Sequence, residues 1–134
     1  MKRIVLLLFV LLFVVFGLTG CGKYASHYNA VAHVHSNKSD SAMASFHELD
    51  GTEIFKLKCK SGETARIQYS GKLEDGSAAV YYDCGGSKTE LFSVRSGDEI
   101  SAYSDPVTAD TVYVIIETNE KCVNGAFAFE LVYD

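Results

Sequence analysis

Histidine, carboxylate, tyrosine and cysteine are the side chains whose kind and spacing in this chain could do chemistry. The histidines are His27, His33, His35 and His47. The pair His33-x-His35 would put two imidazoles on one side of a strand, a geometry that suits a transition metal. No further ligand is evident nearby in sequence, so the polar-tether reading is preferred and no metal is expected. Acidic residues gather at Glu74-Asp75, Asp98-Glu99, Asp105 and Asp110. Oxygen-rich loops attract calcium, but these acids lack EF-hand spacing and read as solvated turn residues. Tyrosine supplies the best hint of binding. All eight tyrosines follow residue 20, and tryptophan is absent, which counts against a sugar-binding platform as the ligand subclass. Tyr81 and Tyr82 are adjacent, so on a strand they face opposite ways. With Tyr103 and Tyr113 they form the candidate ligand contacts, because an exposed tyrosine offers rigid contact area at low entropic cost. The cysteines are Cys21, Cys59, Cys84 and Cys122. They show neither CxxC spacing nor a partner HxxxH motif, which argues against a zinc finger-like site. A catalytic triad, a phosphate-binding glycine loop and a metal-enzyme motif are likewise missing from the pattern. The expectation is a protein that is not an enzyme and holds no cofactor.

The elements that must position these groups begin with the hydrophobic start. Met1-Lys2-Arg3 precedes the uncharged run Ile4 to Leu18. Fifteen helical residues rise only about 22 Å, short of the ~30 Å hydrocarbon core, so the run fits the apolar region of an export signal. Leu18-Thr19-Gly20-Cys21 resembles the bacterial lipobox. That resemblance implies cleavage before Cys21, lipidation of its thiol, and residence on the extracytoplasmic face of a bacterial membrane. Two acyl chains suffice for a stable anchor. Loss of Lys2 and Arg3 with the signal takes the formal net charge from −5 to −7. A basic nucleic-acid-binding role is therefore excluded as a default.

Residues 1–20 thus read as a cleaved signal peptide and residues 21–43 as the lipidated cysteine with a flexible tether. About twenty such residues span roughly 25 Å. A brief alternation over Ala30–His35 leaves an edge strand there as an alternative. Residues 44–134 read as one domain. Short alternating runs are split by Ser61-Gly62, Asp75-Gly76, Gly85-Gly86, Ser96-Gly97 and the segment Thr118 to Lys121, each taken as a turn. Val112, Val114 and Ile116 alternate with Tyr113 and Ile115, apolar on both faces, which marks a central strand. The spacing predicts an all-β, antiparallel, jelly-roll-like sandwich of about eight strands.

The stretch Ser45 to Thr52, then Phe55 to Lys58, Ser61-Gly62-Glu63 and the closing Gly125-Ala126-Phe127, resembles small Gram-positive bacterial lipoproteins. In these a lipobox precedes a single β-sandwich. The resemblance implies the fold and no catalytic residue, and the domain cysteines depart from the usual pattern. If the strands run as a meander, those ending at Cys59 and Cys84 finish at the same end. That favours a Cys59–Cys84 disulfide with Cys122 as a free thiol, the pairings of Cys122 with either partner staying open. The functional expectation is a membrane-anchored, non-catalytic binding module for a protein or glycan ligand of the envelope or exterior. The alternative is a structural lipoprotein that contacts another envelope protein, through Cys122 among other routes. A concave sheet face with exposed tyrosine would favour the first, and an exposed Cys122 or unpaired edge the second.

Overall fold

The computed structural model describes residues 24–133; the expected signal peptide and Cys21 lie outside them. Seven strands form: β1 (His27–Val31), β2 (Val34–Asn37), β3 (Ser41–Lys58), β4 (Ala65–Cys84), β5 (Lys88–Arg95), β6 (Glu99–Tyr103) and β7 (Thr111–Tyr133). All pairings are antiparallel, in the order β1-β3-β7-β4-β5, with β2 also on β3 and β6 also on β4.

Three strands are long: 18, 20 and 23 residues in β3, β4 and β7. A straight 20-residue strand extends about 65 Å, whereas a domain of this size is roughly 35 Å across. Each long strand must therefore bend, and one sheet becomes two facing leaves. The first leaf contains β2, the first half of β3, the second half of β7, the first half of β4, and β6. The second contains the remaining halves of β3, β7 and β4, with β5, while β1 runs along the corner, paired with Glu48 to Thr52 of β3. Aromatic rings join the leaves. Phe55 of the second leaf lies 5.9 Å from Phe129 of the first. Phe92 of β5 stacks on Tyr69 at 4.7 Å and approaches Phe127 at 6.2 Å. The antiparallel sandwich expected from the alternation is the observed architecture.

At each bend the alternation slips by one residue. In β3, Ala42, Ala44 and Phe46 point inward, then Leu49, Glu53, Phe55 and Leu57. In β4 the inward set changes from Ile67, Tyr69 and Leu73 to Ala78 and Val80. In β7 it changes from Val112, Val114 and Ile116 to Phe127, Phe129 and Leu131. Register shifts fall between Leu49 and Thr52, and between Asp75 and Ala78. A bulge inserts the extra residue, bends the strand and reverses which face is buried. Gly51 (φ +130°) and Gly76 (φ +104°) make these corners possible. A Cβ on Gly51 would stand 2.3 Å from the His27 carbonyl oxygen, and one on Gly76 would stand 2.5 Å from that of Lys121.

Several expectations change here. Asp75-Gly76 and Thr118 to Lys121 are corners within continuous strands, not hairpin turns, so the described residues hold seven strands and not eight. Where a flexible tether was expected, residues 27–37 form β1 and β2 and close one edge of the sandwich against β3. The edge-strand alternative over Ala30–His35 is met in part: the segment pairs along β3, but as two strands broken at Ala32 and His33. A simple meander is also replaced, because β7 inserts between β3 and β4. That makes β7 central, as its two apolar faces require. The Ser61-Gly62 and Ser96-Gly97 turns are present. Glu63 N–H donates to the Lys60 carbonyl at 3.1 Å, and Asp98 N–H to the Arg95 carbonyl at 3.0 Å.

Candidate functional site

The outer face of the first leaf is an open platform. Register lines up Ser36, Met43, Ala128, Ser70 and Ser101 directly across five strands. Four of the five are small, so the row forms the floor of a groove. The next row carries Ser41, Glu130, Gln68 and Tyr103. The groove has a volume of about 400 Å³, with Lys38, Gln68 and Glu130 among its walls. It abuts a second depression of about 370 Å³ bounded by Lys72, Glu99 and Ser101. Tyr103 is 56% exposed and Met43 42%, which leaves a ring and a thioether available at the surface.

A second cluster sits where the sandwich edge closes. The carboxylate of Glu53 is fully buried (0%), facing inward on β3. His33 Nε2 lies 3.0 Å from both Glu53 oxygens, and His35 Nδ1 contacts Oε2 at 2.5 Å. The three side chains offer ligand atoms that all lie within 4.8 Å of one another. His33 occupies the two-residue corner between β1 and β2 beside Ala32, whose φ of +50° is left-handed. Such a conformation is uncommon for a residue with a Cβ. His35 stacks on Phe55 at 4.6 Å, nearly parallel, and His33 packs against Tyr28 at 4.9 Å. Burial, then the charge of Glu53, pushes the Tyr28 phenol above its usual value. Carboxylate and imidazole in contact can share a proton or hold a metal ion.

The four candidate tyrosines divide among separate places. Tyr103 alone reaches the groove row. Tyr81 faces outward from the second leaf, where the Lys88 ammonium sits 4.4 Å from its ring centre. Tyr82 packs against the core, and burial pushes its phenol up. Tyr113 lies against Tyr24, with ring centres 5.2 Å apart. Tyr24 donates from its hydroxyl to Asp83; that bond, followed by burial, pushes its pKa up to about 12.

Cys59, Cys84 and Cys122 are all free thiols, so the expected Cys59–Cys84 bridge is not formed. The two do finish at one end of the sheet. However, Leu57 and Cys84 both pair with Val112, from opposite sides of β7. Two strand spacings separate the flanking strands by about 9.5 Å, beyond the ~7 Å limit for a disulfide. Cys122 is fully buried, and burial pushes its thiol up to about 11. Three of the loop acids accept hydrogen bonds at a turn or a strand corner. Asp98 accepts from Arg95 N–H at 2.8 Å, Asp75 from Ser96 Oγ at 3.1 Å, and Glu74 from Asn124 Nδ2 at 2.7 Å.

Glu53 and the groove floor are the functional features missed by sequence reading. Glu53 is hidden by the bulge that turns it inward. The serines of the floor carry no signal until the register aligns them.

Fold and surface together define an all-β sandwich with an open sheet face and an imidazole–carboxylate cluster whose carboxylate is buried and whose outer imidazole reaches solvent. No family model and no curated protein matches the sequence. Among solved structures, the chain is similar to CBM4 (12% identity, TM-score 0.42, covering 79% of this chain and 81% of that one). It is also similar to TmCBM61 in complex with β-1,4-galactotriose (15%, 0.42, 85% and 73%). Drosophila melanogaster CENP-C bound to CAL1 is a third (13%, 0.36, 78% and 74%).

Proposed function

We propose that this chain is an extracytoplasmic lipoprotein, anchored to the membrane through lipid on Cys21, whose sandwich is a non-catalytic binding module. The ligand is an envelope or extracellular glycan held on the outer face of the first leaf. The groove floored by Ser36, Met43, Ala128, Ser70 and Ser101 carries this reading. Small side chains let an extended chain approach the sheet closely. The hydroxyls of Ser70 and Ser101, the amide of Gln68 and the carboxylate of Glu130 offer both donors and acceptors to sugar hydroxyls. Tyr103, exposed at the end of its row, supplies an apolar face for a sugar ring to stack on. The assembly alternative through Cys122 loses its support, because that thiol is buried and held protonated.

The anchor is tested by mass spectrometry of the mature protein; an intact Met1 terminus with an unmodified Cys21 would overturn it. The ligand is tested by NMR titration of the protein with purified envelope polysaccharides. The expected result is that amide shifts concentrate at Gln68, Ser70, Ser101 and Tyr103. Gln68→Ala with Tyr103→Ala should weaken binding at least tenfold. Perturbations confined to the outer face of the second leaf, around Tyr81, would refute the assignment of the groove.

A further inference from the structure

We propose that His33, His35 and Glu53 form a binding site for a divalent transition-metal ion of the zinc class, separate from the groove and independent of its ligand. Two imidazole nitrogens with one carboxylate match borderline metals such as zinc, nickel or copper, whereas calcium and magnesium favour all-oxygen shells. Three protein ligands leave a further coordination position open, as in metal sites that keep a water.

Metal–ligand bonds of ~2.0–2.2 Å at tetrahedral angles separate donor atoms by roughly 3.4 Å. His33 Nε2 already stands 3.0 Å from both Glu53 oxygens, and the whole donor set fits within 4.8 Å. Side-chain adjustments of about an ångström would seat an ion. The coordinating nitrogens would give up any proton they share with the carboxylate, and the ion's charge would replace that proton's.

Glu53 has 0% exposure, and among the described residues its ion-pair partners are these two histidines. A carboxylate buried this far needs hydrogen bonds or positive charge beside it, and a metal ion seated between these donors would supply the charge. Exposure rises outward from Glu53 through His33 (13%) to His35 (34%), which gives an ion a route in from solvent. Phe55 under His35 and Tyr28 beside His33 fix the ring planes. The left-handed Ala32 turns the chain so that His33 aims inward from the corner. Adjacent residues of β2 serve different sites, since Ser36 lines the groove while His35 lies against Phe55.

The test is titration of the full chain with zinc, followed by cobalt(II) as a spectroscopic probe. The expected result is one equivalent bound and a four- or five-coordinate cobalt spectrum without sulfur-to-metal charge transfer. His33→Ala and His35→Ala should each weaken zinc binding by at least a hundredfold. Since either variant removes support from Glu53 and can unfold the edge, the wild-type imidazole NMR signals provide a second measurement. Zinc should shift His33 and His35 and leave His27 and His47 in place. A dissociation constant weaker than about a millimolar would overturn the proposal. So would undiminished binding by a folded His33→Ala variant, or a cobalt–thiolate band that puts the ion on cysteine.

Discussion

Replacing Gly51 with alanine tests whether the β3 corner is what holds the first two strands in place. The new Cβ would stand 2.3 Å from the His27 carbonyl oxygen and 2.6 Å from Tyr28 Cα, both main-chain atoms of β1. A flexible side chain could move aside, but a paired strand must be displaced. At φ +130° the backbone conformation alone costs about 1–3 kcal/mol for a residue with a Cβ. Retreat of β1 would break one or two ladder hydrogen bonds around the Tyr28–Gly51 pair, at about 1 kcal/mol each. The combined loss is about 2–5 kcal/mol, equivalent to a fall in Tm of roughly 10–25 °C for a domain of this size. Urea unfolding, read at constant m-value, measures it. Gly62→Ala is the control, because Gly62 also has positive φ (+77°) but open space around it. It should lose only about 1–2 kcal/mol. Amide exchange should quicken over residues 27–31 in the Gly51 variant and stay unchanged in the control. If Gly51→Ala costs no more than Gly62→Ala, close approach of β1 is not what the corner requires.

Phe92→Ala removes the ring that joins Tyr69, Phe127 and Phe129 across the leaves, and should cost about 3–5 kcal/mol in the same unfolding assay. In native protein under reducing conditions, the partly exposed Cys84 should be the first thiol alkylated, and Cys122 should stay unlabelled until unfolding; mapping the modified peptides checks the order. The Cys122 thiol has a folded pKa of about 11 against an ordinary value of 9.0. Its contribution to stability is therefore complete below about pH 9 and is lost as pH rises through 9 toward 11. Cys122→Ser should flatten that part of the stability–pH curve.

The inward residues were legible wherever alternation stayed in step. Phe55 and Leu57, Ile67 and Tyr69, the valines of the central strand, and Phe127 and Phe129 are all buried as the pattern requires. What sequence could not show is a strand that continues through a corner. Asp75-Gly76 and Thr118 to Lys121 have turn composition because a bulged bend needs the same residues as a hairpin, and a slipped alternation looks like a break. The same slip hides Glu53. Its partners His33 and His35 lie 20 and 18 residues earlier, so their shared neighbourhood depends on a fold that local spacing does not encode. The segment holding those histidines is polar and short-period, and its order comes from pairing with β3 rather than from its own propensity. Cys59 and Cys84 failed for a topological reason: which strand lies between two others is not written in either one.

The bond from Tyr24 to Asp83, with the Tyr24 ring on Tyr113, has a geometric consequence for the proposed lipoprotein. These contacts moor the chain to the outer face of the second leaf, three residues after Cys21. Three residues reach at most about 11 Å, less than half of what a free twenty-residue leash would span. The lipid would then hold the module close against the headgroups. Since the mooring and the groove occupy opposite sides of the sandwich, the platform would look outward, toward whatever lies in the envelope just above the membrane.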